Sequence, residues 1–224
     1  MINYILIRSK RKTMALYVRN GIVEVRAPMR TSKKEIDKFV LSKEDWINEK
    51  LAQSVERINK RENFALRYGD MLTYRGSRYP IAAKDGDRMG FDNEKFYIPA
   101  GLTSEEIKRC CTEIYKHLAK RTLEARVNNF ASIMSVTPTN IKVNSAKTRW
   151  GSCSAKKSLN FSWRLIMADD DVIDYVVVHE LAHIIELNHS PRFWAIVERI
   201  IPDYRNKRAK LKKLQQKLSV EDWD

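Results

Sequence analysis

The sequence contains little of what marks several large classes of protein. Glycine occurs 7 times and proline 6 times in 224 residues, which excludes collagen-like, low-complexity and linker-dominated chains. No apolar run approaches the roughly 20 residues that a membrane-spanning helix needs. The first residues offer only a short apolar stretch, too short for the core of a signal peptide. We therefore expect a soluble globular protein that works in the cytoplasm and has no membrane partner.

Cysteine is also scarce. Cys110 and Cys111 are adjacent and Cys153 stands alone, so the three cysteines form neither an even disulfide framework nor a Cys-x-x-Cys ligand pair. Acidic residues are outnumbered, with 28 against 42 lysines and arginines and a net charge of +14. A basic excess raises the question of a polyanionic partner, but charge alone does not identify one.

The first part of the chain combines strand and helix signals. Alternating apolar residues predict paired strands over the first thirty residues, with Asn20-Gly21 as a hairpin turn. Capping boxes at Ser32 and Ser42 predict two helical segments with a break between them, the second reaching about residue 62. Short runs between glycines from 69 to 99 predict further short strands.

The second part is more helical. Thr103 caps a predicted long helix that ends near Pro138. Stretches 141–143 and 159–165 are predicted strands around a turn that contains Gly151. We predict an α+β protein with a β-rich portion and an inserted helix over residues 1–100 and a helical portion over 101–224, or a single continuous domain.

A metal-binding pattern lies in the most apolar helix of the sequence. Asp169, Asp170 and Asp171 supply a cap and favourable charge for its N-terminus, and the residues that follow are apolar nearly all round, as in a buried helix. Inside it, His179-Glu180-Leu181-Ala182-His183 is an H-E-x-x-H motif. The spacing of four places both imidazoles on one face, close enough to bind one metal ion.

A catalytic zinc ion usually has three protein ligands, and His189 is the best candidate for the third. For His189 to face the other two, the helix must end between His183 and His189. Asn188 suits a left-handed C-terminal position, while Ser190 and Pro191 suit the start of a new helix. The remaining histidine, His117, stands alone on the long helix and is expected to be an ordinary surface or packing residue.

The histidine spacing is similar to that of metzincin proteases, but Glu186 replaces their glycine and no methionine follows Met167. A closer resemblance is to the YgjP-like metallopeptidases, bacterial zincins related to the SprT-like group. The motifs that carry it occur in order: Arg149–Ser154, Asn160, Trp163–Leu165, Tyr175–His183, Asn188–Ser190 and Phe193-Trp194, with weaker matches at Pro28, Trp46 and Gly69.

The resemblance implies a zincin-like fold and a zinc-dependent hydrolase that acts on a peptide or protein. It carries the ligand roles to His179, His183 and His189 and the catalytic role to Glu180. A zinc ion would activate water and polarise the scissile carbonyl, and Glu180 would act as the general base. The strand-like stretch Ser158–Trp163 is a candidate for pairing with the substrate backbone, with a plain core strand as the alternative.

Two other interpretations stay open. Cys153 lies upstream of the H-E-x-x-H motif, as a cysteine ligand does in peptide deformylases. The C-terminal stretch 205–217 holds seven basic residues and no acid, which fits either a solvated amphipathic helix or a phosphate-binding face to which the Arg8–Lys12 turn could add. The second possibility corresponds to a nucleic-acid-associated protein, either a protease acting near DNA or a zincin fold without turnover.

Overall fold

The computed structural model describes residues 2–223. The described strands are, in chain order, Ile5–Ser9 (β1), Ala15–Arg19 (β2), Ile22–Pro28 (β3), Met71–Tyr74 (β4), Ser77–Lys84 (β5), Gly90–Phe91 (β6), Phe96–Pro99 (β7), Asn140–Asn144 (β8), Gly151–Cys153 (β9) and Ser158–Ser162 (β10). The α-helices are Lys33–Leu41 (α1), Glu44–Glu62 (α2), Ser104–Ile133 (α3), Asp170–Ala182 (α4), Pro191–Ile200 (α5) and Tyr204–Leu218 (α6). A 3-10 helix spans Trp163–Met167.

The chain forms two compact units, residues 2–64 with 218–222 and residues 65–217 with Trp223. In the first unit, β3 lies between β1 and β2. The turn residues Asn20 and Gly21 have φ values of +48° and +74°, as the predicted two-residue hairpin between β2 and β3 requires. The apolar core of this unit consists of Val23, Val25, Ala27, Ile36, Val40 and Ile47.

The helices of the first unit follow the predicted capping signals in part. Ser32 and Glu35 form a complete capping box at the start of α1. The predicted break is confirmed, but Ser42 does not cap α2: its hydroxyl donates to the carbonyl of Phe39, and Lys43 occupies the N-cap position without a side-chain hydrogen bond. Ser42 therefore ends the first helix instead of starting the second.

The second unit begins with the predicted short strands, which form a sheet in the order β4-β5-β7-β6. Thr103 and Glu106 form a capping box at the start of α3. This helix ends at Ile133, before the predicted end near Pro138. Ser135 adopts a left-handed φ of +52°, and the amide of Val136 donates back to the carbonyl of Ala131, which is the hydrogen-bond pattern of a helix-terminating turn.

A second sheet in this unit has the order β8-β10-β9. Gly151 lies in β9, not in the predicted turn, and the predicted strand 159–165 ends at Ser162, where the 3-10 helix begins. That helix buries Trp163 completely against Tyr115 of α3, with ring centroids 5.5 Å apart. Helix α4 packs between α3 and α5 and also contacts β9.

The structure confirms the predicted α+β class. The contacts divide the chain between residues 64 and 65, whereas the sequence placed a boundary between 100 and 101. The positions differ because β4, β5, β6 and β7 pair with one another and β7 packs against α3, which joins this sheet to the helices that follow. Within residues 2–223, no helix has both the length and the apolar character needed to cross a membrane.

Candidate metal centre

Helix α4 is buried on almost every side, as its sequence predicts. Val177, Val178 and Leu181 are fully buried, and the helix ends at Ala182 with His183 as its C-cap. Asp169 occupies the N-cap position, but its side chain makes no capping hydrogen bond there. The ring centroids of His179 and His183 are 5.0 Å apart, so the four-residue spacing places both imidazoles together.

The chain then turns back so that a third histidine approaches the first two. Backbone hydrogen bonds from Ile184 to Leu181 and from Ile185 to Ala182 tighten the end of the helix. The predicted left-handed conformation at Asn188 is wrong, because Asn188 is not among the described residues with positive φ. The new helix starts as predicted: the Ser190 hydroxyl accepts from the amide of Phe193, and Pro191 lies in the first turn.

Three imidazoles converge at this turn. One ligand nitrogen from each of His179, His183 and His189 lies within 4.8 Å of the others, and Nε2 of His189 is 3.0 Å from Nε2 of His179. Tetrahedral zinc with Zn–N bonds of about 2.0–2.1 Å places its nitrogen ligands about 3.3 Å apart. The donor set and its spacing therefore fit a zinc ion.

Burial favours the neutral form of His179 and His189. Burial, followed by the charges of the other two histidines, lowers the pKa of His179 to about 3. Burial and the charge of His183 also lower the pKa of His189. Nδ1 of His183 is 3.2 Å from the carbonyl oxygen of Glu186, which fixes this ring and leaves its Nε2 free. Neutral imidazoles with free lone pairs are the form that coordinates a cation.

Glu180 follows His179 directly in the sequence and is buried, with 6% of its surface exposed. Burial raises the pKa of this carboxyl to about 8. Strand β9 passes directly beside it: a β-carbon added at Gly151 would lie 2.6 Å from Oε1 of Glu180. The protein thus holds a buried carboxyl group with a raised pKa on the helix that carries two of the three histidines, against a residue of β9 that has no side chain.

Cys153, on the same strand, does not join the cluster. The group of potential ligands found among residues 2–223 contains the three histidines and no cysteine. Burial and the charge of Glu180 raise the pKa of the Cys153 thiol, which disfavours the thiolate that a metal requires. A site with an upstream cysteine ligand therefore has no support in this geometry.

The sheet order decides between two sequence hypotheses. The sequence leaves two possibilities for Ser158–Trp163, pairing with the substrate backbone or a plain core strand, and β10 has β8 on one side and β9 on the other. Both edges of β10 are therefore occupied, and it is a core strand. In this sheet, β9 is the edge strand that also contacts α4. The short run Gly151–Cys153 had no periodicity from which a strand could be predicted.

Aromatic rings surround the histidines on the side of α5 and α6. Phe193 is completely buried and its ring centroid lies 4.5–4.9 Å from those of all three histidines. Trp194 stacks on His189 at 5.6 Å and on Tyr204 at 5.0 Å. From the sequence, Phe193 and Trp194 are notable only as part of the family resemblance, and Tyr204 has no predicted role. Stacking between rings of separate helices leaves no local pattern in the sequence.

Part of the positive charge of the C-terminal helix is paired within the protein: acidic side chains of the described chain contact three of its seven basic residues, Arg205, Lys207 and Lys210. Lys207 pairs with Asp171 and Asp203, and Lys210 pairs with Asp169 and Asp171. Arg205 pairs with Glu198, and Lys217 donates to the hydroxyl of Thr73. Two of the three aspartates at the start of α4, Asp169 and Asp171, thus pair with α6. These pairings leave fewer free charges for a phosphate-binding face than the sequence indicates.

Comparisons with known proteins identify the family of the chain. The chain matches the family model "YgjP-like, metallopeptidase domain" over residues 12–214. Among solved structures, it is similar to the metallopeptidase zymogen abylysin of Pyrococcus abyssi, with 20% identity, a TM-score of 0.39 and coverage of 45% of this chain and 98% of that chain. The zymogen jannalysin of Methanocaldococcus jannaschii has 23% identity, a TM-score of 0.37 and coverage of 42% and 95%. No curated protein matches the chain. Because the family model spans most of the sequence, this chain belongs to the YgjP-like metallopeptidase family.

Proposed function

We propose that this protein is a zinc-dependent peptidase in which His179, His183 and His189 hold the metal and Glu180 is the general base. The observation that supports the assignment is the convergence of three histidine nitrogens within 4.8 Å of one another, with the buried Glu180 directly after His179 in α4. When bound, zinc supplies a Lewis acid that activates water and polarises a carbonyl group. The substrate class is a peptide or protein.

Glu180 performs the proton transfers of the reaction. Its carboxylate accepts a proton from the attacking water, and the water oxygen forms a bond to the scissile carbonyl carbon. Glu180 then returns that proton to the leaving nitrogen as the C–N bond breaks, which yields a carboxylic acid, with the second proton of the water still on its oxygen, and an amine. A pKa raised by burial suits a group that must take up and release a proton near neutral pH.

The edge of β9 is the surface to which an extended substrate would pair. β9 hydrogen-bonds to β10 on one side, and its described neighbours leave the other side without a strand. Main-chain pairing there would place a peptide beside Gly151 and Glu180, with little dependence on its sequence.

We also place the protein in a reducing compartment such as the cytoplasm, because its three cysteines are free.

The test combines metal content with hydrolysis. Purified protein should contain about one zinc per chain and cleave an internally quenched fluorescent peptide. Glu180→Gln should keep the zinc and lower the rate by about 10²–10⁴-fold, the usual contribution of a general base. His117→Ala, which changes an exposed histidine outside the cluster, should keep both. Hydrolysis at the original rate in Glu180→Gln, or protein without metal, would overturn the proposal.

A further inference from the structure

One basic residue of α6 differs from its neighbours in what it contacts. Arg205, Lys207, Lys210 and Lys217 each have a protein partner. Arg208, in contrast, has no acidic partner anywhere in residues 2–223. Its guanidinium carbon lies 5.6 Å from the ring centroid of Trp194, and its side chain is exposed. The protein therefore holds this charge against an aromatic ring while leaving its hydrogen-bond donors available.

That aromatic ring connects Arg208 with the metal centre. Trp194 stacks on His189 with ring centroids 5.6 Å apart and planes inclined by 26°. Trp194 also stacks on Tyr204, with ring planes inclined by 16°. Tyr204 lies one helical turn before Arg208 on α6. Arg208 thus lies one aromatic ring away from a candidate metal ligand, and the stacked rings limit where the guanidinium can be.

The charge of Arg208 reaches the centre. Its guanidinium carbon is 5.6 Å from the ring centroid of Trp194, and that ring stacks directly on His189. A positive charge that acts on the site without an internal counter-ion favours an anionic group on whatever molecule binds there.

We propose that Arg208 binds a carboxylate of the substrate close to the scissile bond, so that the enzyme prefers peptides with a negative charge there. The proposal rests on the proposed peptidase function. A planar guanidinium over an aromatic ring still presents a fork of N–H donors that matches a carboxylate. The carboxylate can be the side chain of an aspartate or glutamate or the C-terminal carboxylate of the peptide, and the test separates the two sources.

The test measures binding, so it does not need turnover. Zinc-loaded Glu180→Gln protein is titrated against fluorescently labelled peptides that differ only in Glu against Gln near the centre, or in a free against an amidated C-terminus. We expect one charged member to bind about 10-fold tighter than its neutral partner, as a charge-assisted hydrogen bond allows. A preference in the Glu/Gln pair assigns a side-chain carboxylate, and a preference in the other pair assigns the C-terminus.

Variants in the same background identify the residue responsible. Arg208→Ala should bring the two members of the preferred pair to within about 2-fold of each other. Arg208→Lys should keep part of the preference, because it retains the charge without the fork. Lys212→Ala is the matched control: it removes one positive charge from the same helix at an exposed position that has no acidic partner in the described chain, and it should keep the full preference.

Three outcomes would overturn the proposal. In the first, Glu180→Gln protein with Arg208 intact binds the charged and the neutral peptides equally well. In the second, Lys212→Ala lowers the preference as much as Arg208→Ala. In the third, Arg208→Ala releases zinc, which would make Arg208 a support for the ring stack. Hydrolysis of neutral peptides by the unmodified protein, measured separately, tests the peptidase function itself, so the two failures are distinguishable.

Discussion

Gly151 of β9 and Glu180 of α4 are packed so closely that a β-carbon at Gly151 would lie 2.6 Å from Oε1 and Cγ of the glutamate. A contact that short forces one of the two groups to move. Because Glu180 is buried, its side chain has little room to rotate away. The φ angle of Gly151 is not in the left-handed region, so the backbone conformation does not require a glycine there. The close approach of the Glu180 side chain does.

The first prediction follows from this contact. Gly151→Ala should leave the zinc content unchanged, because no metal ligand lies in β9, but should lower kcat by about 10²-fold, because a displacement of about 1 Å costs a catalytic group that much. The measurement is hydrolysis of a quenched peptide together with zinc analysis. Ser152→Ala, a substitution at the next residue of the strand, should retain activity. An unchanged kcat in Gly151→Ala would show that the glutamate adapts.

The second prediction concerns the third histidine. His189→Ala should lower the zinc content of dialysed protein well below one per chain, because a two-histidine site lacks the three protein ligands of catalytic zinc centres. Elemental mass spectrometry measures this directly. His117→Ala, which removes an exposed histidine of α3, should retain zinc. If His189→Ala bound zinc as tightly as the unmodified protein, another residue would have to be the third ligand.

The third prediction tests the turn that delivers His189. Ser190 accepts a hydrogen bond from the amide of Phe193 at the start of α5. Ser190→Ala should therefore lower the free energy of unfolding by about 1 kcal/mol, the usual cost of losing an N-cap. It should also weaken zinc binding, because His189 is adjacent. Urea unfolding and competition with a chelator measure the two effects, and Ser190→Asp, which restores a capping side chain, should recover both.

The fourth prediction is a pH dependence at the start of α4. Arg75 donates two hydrogen bonds of 2.6 Å to Asp170. This contact, more than any other, lowers the pKa of Asp170. A carboxyl with a lowered pKa in the folded state stabilises the protein above its unfolded pKa of about 3.9, and the contribution disappears as the pH falls through the folded pKa.

Arg75→Gln should consequently reduce the free energy of unfolding at pH 7 by no more than about 1 kcal/mol, since the two side chains are 40% and 46% exposed. The difference from the unmodified protein should shrink as the pH is lowered below 4. Arg78→Gln, at an exposed position of the neighbouring strand, should show no such pH dependence. If the loss of unfolding free energy in Arg75→Gln were the same at every pH, the pairing of Arg75 with Asp170 would not be its cause.

Predictions from the sequence succeed where the signal is local. The Asn20-Gly21 hairpin, the capping boxes at Ser32 and Thr103, and the start of α5 at Ser190 all depend on residues within a few positions of one another, and each is confirmed. The H-E-x-x-H motif belongs to the same class, since the helical period alone brings His179 and His183 together. The sequence also predicts that the helix ends between His183 and His189 so that His189 can approach, although Asn188 does not adopt the predicted left-handed conformation.

What the sequence does not determine depends on which elements become neighbours. The position of β9 at the sheet edge, the closeness of Gly151 to Glu180, and the pairing of Asp169 and Asp171 with α6 join residues far apart in the chain. A pattern of hydrophobic and charged residues shows that a face is apolar or basic, but not which face it meets. The sequence by itself thus determined the helix and the ligand types. Only the tertiary structure decided what lies against the glutamate and which charges stay free, because packing between distant segments sets both.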